Sequence, residues 1–166
     1  MIFNPLILAI SALIPLVIGA VWYNPKVLGT AWMKESGVTE ESMKGANMAV
    51  IFGLTYLFSF MLATAINGMV IHQNHIFSIM LNETGFGEEG SDIMKYINDF
   101  MTNYGTNFRT FKHGAFHGVL TGIFVALPIL GVNALFERKS GKYIAINVGF
   151  WTVCLTLMGG IICQFS

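Results

Sequence analysis

The sequence predicts an all-α membrane protein of four transmembrane helices, with an amphipathic helix in its long second loop. Three observations lead there. Apolar residues make up 54% of the 166 residues even with the 18 glycines left out, against ~45–50% in soluble domains with glycine counted. Only 11% are charged, against ~25% in such domains. The nine Lys/Arg and nine Asp/Glu fall in three clusters, which leaves charge-free runs at 1–25, 45–82, 113–136 and 143–166. A bilayer core of ~30 Å takes about 20 apolar residues of helix, and unpaired backbone groups cannot face lipid. Spans are therefore expected near 4–23, 48–71, 114–136 and 143–164, in a single domain. Disorder needs low hydrophobicity and high net charge, and nucleic-acid binding needs a basic surface. A net charge of zero in so apolar a chain excludes both.

Span one starts at Pro5, in the first turn where a missing N–H is harmless. Pro15 predicts a kink. Trp22 and Tyr23 mark the membrane boundary as an aromatic belt does, and Asn24-Pro25 ends the helix. The start MIFNP has no basic residue and no clear A-x-A site follows, so the reading is a retained span and not a cleaved signal. Residues 27–34 (VLGTAWMK) are expected along the headgroups. Thr39 before Glu40 and Glu41 reads as an N-cap, with a short helix running on into span two.

Run two has 38 residues and no proline, enough for about 57 Å of helix, so it is expected to project past Gln73. The outer loop, about 74–112, opens with a glycine-rich turn, Gly85–Gly90. Ser91 then caps an amphipathic helix in which Ile93, Met94, Ile97, Phe100, Met101 and Tyr104 share one face, closed by Gly105. This helix is expected to pack on the extended end of span two or to lie on the outer leaflet. Spans three and four form an antiparallel hairpin through Glu137–Lys142, with Pro128 kinking span three. Loops one and three carry six Lys/Arg and loop two carries three. The positive-inside rule then puts loops one and three in the cytoplasm and both termini outside, as in a bacterial inner membrane.

The most distinctive stretch is HGAFHGVLTG. Gly114, Gly118 and Gly122 form overlapping G-x-x-x-G units that let another helix approach closely, and Gly149, Thr152, Thr156 and Gly160 form a matching small-residue stripe on span four. Together these predict helix packing and self-association with further copies. His113 and His117, one helical turn apart, can chelate a transition metal if a third ligand comes from His72, His75, Glu83 or Asp99. The other readings are a pair of interfacial histidines hydrogen-bonded to neighbouring helices or water, and a pH-sensing pair. His117, Thr121, Asn133, Asn147 and Asn67 mark a weakly polar path. No span contains Asp, Glu, Lys or Arg, on which ion pumps rely. Cys154 and Cys163 lie on opposite sides of one helix, and no nucleophile, phosphate-loop or dinucleotide motif is present. Asn82-Glu-Thr84 fits a glycosylation sequon.

GAVWYNPKVLGTAWMK (Gly19–Lys34), followed by SGVTEES, resembles the first block of the domain-of-unknown-function 1761 family of small membrane proteins. HGAFHG, NALFERKS (Asn133–Ser140) and INVGFWTVCLTLMGG (Ile146–Gly160) resemble its second. These blocks cover the first quarter and the last third of the chain. The resemblance implies four helices in a membrane and supplies no activity, cofactor or catalytic residue. The functional expectation is a non-enzymatic, self-associating scaffold or accessory subunit without a cofactor. The alternatives are a passive channel or small-solute permease along spans three and four, and a metal-dependent intramembrane enzyme using His113 and His117.

Overall fold

A computed structural model describes residues 3–166, and among these four helical segments are long and apolar enough to cross a membrane: Pro5–Trp22, Met48–Val70, Phe111–Phe136 and Gly141–Phe165. Each lies within a few residues of its expected span. Span one is two helices, α1 (Pro5–Ser11) and α2 (Ile14–Trp22). The Asn4 side chain accepts from Ile7 N at 3.3 Å and caps α1. Pro15 has no N–H to give the carbonyl four residues earlier, so the helix resets one turn upstream of the proline, at Ala12 and Leu13. Trp22 and Tyr23 are half-buried, and their polar ends do not go to headgroups as an aromatic belt would have them. Trp22 Nε1 donates to the Ile146 carbonyl at 3.1 Å, and the Tyr23 hydroxyl donates to Asn147 Oδ1 at 3.0 Å.

Loop one begins with a wide π-helical turn at 25–29, leads into α3 (Thr30–Ser36), and sets the Trp32 ring edge-on against Tyr23 at 5.3 Å. Thr39 caps α4 (Glu40–Met43) reciprocally with Ser42. This short helix does not run into span two. Gly45, at φ +83°, breaks it, and Asn47 starts α5 (Met48–Val70) afresh, accepting from Val50 N at 3.2 Å.

The 38-residue apolar run is likewise not one rod. Helix α5 stops at Val70, the chain bends through Ile71–Gln73, and α6 (Asn74–Ile79) follows. No glycine or proline stands in the bend itself, and long-range contacts hold it. Cys163 Sγ donates to the carbonyl of Val70, and Gln73 Nε2 donates to the carbonyls of Tyr104 and Asn107 at 3.3 and 2.7 Å. Amphipathic helix α7 (Asp92–Tyr104) forms as expected, its Ser91 cap accepting from Met94 N and donating to Gly85 O at 2.7 Å. Its Ile97 is completely buried.

Span three comprises α8 (Phe111–Thr121), a π-helical turn at 122–126 that absorbs the bond Pro128 cannot make, and α9 (Leu127–Phe136). Span four is the single helix α10 (Gly141–Phe165) and sits at the centre. Half of its apolar window is buried, against 17–22% in the other three. It meets span one, span two and span three, and Leu155, Met158, Ile162 and Cys163 join Leu8, Ala63, Ile66 and Val70 in the core.

The glycine stripes meet each other inside the chain. Gly114 lies on the Gly159 carbonyl and Cys163, Gly118 on the backbone of Leu155 and Thr156, and Gly122 on Thr152, while Gly160 lies under the Phe111 ring and Gly149 beside Trp22. A methyl at Gly114 or Gly118 would occupy space already held by the backbone of α10. The outward faces are apolar instead, with Phe58, Phe124, Leu135 and Phe136 all more than 60% exposed. In water such a surface would be an association liability; in hydrocarbon it is the ordinary coat of a spanning bundle.

Hydrogen bonds also fix which ends lie together. Asn4 Nδ2 donates to the Phe165 carbonyl, and Arg109 donates to the carbonyls of Cys163 and Ser166. Residue 4, the outer loop and the end of span four therefore share one end of the bundle. At the other end Lys139 Nζ donates to Ser36 O at 2.6 Å and Ser140 Oγ to Glu35 at 2.5 Å, joining loops one and three.

Candidate metal centre

His113 and His117 project from one face of α8, as their spacing requires. The face beside them carries Gly114 and Gly118 and is pressed against α10, so the two imidazoles are fixed to the most tightly packed seam of the molecule. His72 comes to them from the bend after α5. Its neighbours in sequence are anchors: Ile71 is fully buried and Gln73 is 6% exposed. The ring of His72 is nevertheless exposed, and those of His113 and His117 are half-buried, so the three meet at a surface that solute can reach.

The geometry of the three rings is specific. His72 Nε2 lies 3.2 Å from His117 Nε2 and 3.4 Å from His113 Nε2. All three ligand atoms fall within 4.8 Å of one another. Imidazoles bound to a tetrahedral ion at ~2.0–2.1 Å hold their nitrogens ~3.3–3.4 Å apart, close to the two edges that His72 makes. Hydrogen bonding accounts for the cluster less well. A neutral imidazole nitrogen carries either one proton or one lone pair, so His72 Nε2 cannot make a full bond to both partners. A cation placed among the rings takes a lone pair from each.

Partial desolvation where the largely exposed ring meets its neighbours, then the nearby His113 and His75 rings, hold the His72 imidazole below its ordinary value of 6.5. The ring is neutral near pH 7 and free to ligate.

Of the four expected third ligands, His72 alone joins the pair among the described residues; His75, Glu83 and Asp99 lie outside the group. His75 stacks beside His72 with ring centroids 6.3 Å apart. Two contributors had no sequence signal. Phe108, whose ring centroid is 5.1 Å from that of His113, sits at φ +60°, a conformation that costs a bulky residue about 1–2 kcal/mol. Its carbonyl lies 3.3 Å from Cys163 Sγ, whose single proton is shared between this oxygen and that of Val70. Backbone strain of this kind concentrates at functional sites. Gln73 is the second: it ties the bend to the end of α7, while its own Oε1 has no partner among the described residues.

The residues of the expected polar path have separate local surroundings. Thr121, Thr152 and Thr156 each donate to a carbonyl one turn back in their own helix at 2.7–2.8 Å. Asn67 is buried at the α5 core face. Asn147 is engaged by Tyr23 and by the Tyr143 carbonyl. Asn133 is exposed and meets Asn147 across a small cavity of about 160 Å³ at the loop-three end. Cys154 and Cys163 are free thiols.

No curated protein and no solved structure matches the chain. The family model described as a protein of unknown function, DUF1761, spans residues 6–163. That span takes in the outer loop and His72 as well as the two blocks legible in the sequence, so the whole site lies inside the matched residues. By a match over nearly its whole length, the chain belongs to the DUF1761 family.

Proposed function

We propose that this protein is an integral membrane metal-binding protein in which His72, His113 and His117 hold one divalent transition ion at the membrane boundary. The convergence of three Nε2 atoms, with edges of 3.2 and 3.4 Å, carries the reading. Three imidazole ligands suit Zn²⁺ among the first-row ions. A set of three protein ligands with reachable surroundings leaves a fourth position for water or a small ligand, the arrangement of working rather than structural zinc sites. The Lys/Arg asymmetry of the loops supports a bacterial inner membrane with the site and both termini on the outer side.

The glycine stripes that pointed to a self-associating scaffold are covered within one chain, so they support the hairpin and give no surface to a second copy. Thr121 of the supposed path turns back on its own helix, which weakens the support for permeation.

Chelator-stripped protein, reloaded with Zn²⁺ and freed of excess, tests the proposal by elemental analysis. One ion per chain is expected, lost in His72→Ala and in His117→Ala and kept in His75→Ala. Substoichiometric metal, or equal loading in all four proteins, overturns it.

A further inference from the structure

The chain has four histidines, and all four meet at this one place. His113 and His117 come from α8, and His72 and His75 from the bend and first turn that follow α5. His75 N donates to His72 O at 3.0 Å, which sets the two side chains on one side of the chain, as residues three apart are on a helix. Ile71, Gln73, Asn74 and Ile76 anchor this turn and are at most 9% exposed. The two positions between them that face outward are both histidine.

His75 stands one step outside the triad. Two imidazoles sharing a tetrahedral ion at ~2.0–2.1 Å have ring centroids ~5 Å apart. The three pairs within the triad lie at 4.9, 5.0 and 4.6 Å. The His72 and His75 rings lie 6.3 Å apart and 29° from parallel, too far to hold the same ion until one of them turns. His75 is the one able to turn. It is exposed, and among the described residues its ring is held only by stacking on His72. Both rings line the open cavity of about 570 Å³ between α6 and α7, which gives the side chain room to move. A ring so loosely held adds little to the packing, whereas a nitrogen donor beside an ion site can meet the ion first.

We infer that His75 is the capture ligand of the metal centre: with His72 it takes the hydrated ion from solution and passes it to His113 and His117. The inference rests on the metal reading above. The steps are ligand exchanges. His75 and His72 each displace a water from the arriving ion. His113 and His117 then displace further waters and, last, His75, whose ring returns to its stack. The opposite order is hindered, because His113 and His117 are half-buried along the seam with α10, while His72 and His75 form the exposed pair. Release retraces the same path. His75 therefore speeds entry and exit by one factor and leaves the affinity, their ratio, as it was.

Uptake is followed by stopped-flow mixing of the stripped full chain with Zn²⁺. Release is followed by transfer of Zn²⁺ from the loaded chain to a chromophoric chelator, with the rate extrapolated to zero chelator, and competition with the same chelator gives Kd. His75→Ala removes the nitrogen, and His75→Phe removes it while keeping a ring to stack on His72. Both variants are expected to take up and release Zn²⁺ about tenfold more slowly, a modest share of what a tethered second binding group contributes, with Kd unchanged. Parental rates in either variant would overturn the inference; parental rates in His75→Phe alone would give the ring the task of steadying His72 instead. A weakened Kd would overturn it as well, since His75 would then be a resident ligand. If the parent chain takes up no Zn²⁺, the metal reading fails and this inference with it.

Discussion

Substituting alanine along the glycine seam gives a graded set of outcomes that the packing dictates. In Gly118→Ala the new methyl falls on the Leu155 carbonyl and the Thr156 Cα. Neither group can rotate aside, so α8 and α10 must separate. Overpacking of this kind costs about 1–3 kcal/mol, and rigid backbone on the receiving side puts the change at the upper end. The ~1 kcal/mol that alanine gains over glycine in helix propensity offsets only part of it. Gly114→Ala meets the Gly159 carbonyl and Cys163 and is expected to cost as much. Gly122→Ala meets only the Thr152 side chain. That side chain can turn away by giving up its bond to Val148 O at 2.8 Å, a loss of about 0.6–1 kcal/mol in a membrane interior. Gly131→Ala meets nothing within 4 Å and is expected to be neutral or stabilising. Thermal unfolding in one detergent should rank the variants Gly118 and Gly114 lowest, then Gly122, then Gly131 at or above the parent. Zn²⁺ affinity should follow the same order, because parting α8 from α10 carries His113 and His117 away from His72. A Gly118→Ala protein as stable as Gly131→Ala would refute the direct backbone contact on which this reasoning depends.

Other expectations concern the ends of the bundle and the chemistry of the triad. Arg109→Gln removes charged hydrogen bonds to the Cys163 and Ser166 carbonyls, each worth about 1.5–3 kcal/mol. Amide exchange should quicken in the last turn of α10 and leave α5 unchanged; uniform protection in both helices would contradict this. His72 titrates below 6.5 because partial desolvation and then the His113 and His75 rings oppose its charged form. Protons therefore compete for it only as pH falls from 6.5 through that lowered value, and above 6.5 the ring stays neutral. Zn²⁺ retention should be level between about pH 8 and 7 and fall on the acid side; a decline starting above pH 7 would count against His72 as a ligand. For sidedness, a single cysteine at Lys139 should be labelled by a membrane-impermeant maleimide only after the cells are opened, and one at Asn82 in intact cells. The reverse pattern would invert the orientation and leave the fold untouched.

The spans were legible because their signal is cumulative. Four runs without a single charge leave few ways to satisfy the backbone in lipid, and each boundary falls where charge or a capping residue returns. The glycine face of α8 was legible too, since spacing alone fixes which residues share a helix face. What spacing does not fix is the partner. Gly159, the residue opposite Gly114, stands outside the stripe read from span four, and a seam within one chain looks in sequence like a seam between copies. The break after Val70 has no glycine or proline of its own, and Cys163 and Gln73, distant in sequence from the groups they bind, hold it. Two of the three proposed metal ligands could be named as a pair from their one-turn spacing. The third could be narrowed only to candidates on the same side of the membrane, since the bend that selects His72 over His75 is itself held by tertiary contacts. Phe108 and the unpaired Gln73 oxygen are features of conformation, with no counterpart in composition or periodicity.

X-ray absorption at the zinc edge of the reloaded full chain probes the ligand set directly. Three imidazole nitrogens at ~2.0–2.1 Å, with their characteristic outer-ring scattering and one further light atom, are expected. A sulfur shell near ~2.3 Å, or a light-atom shell without imidazole scattering, would contradict the His72–His113–His117 centre.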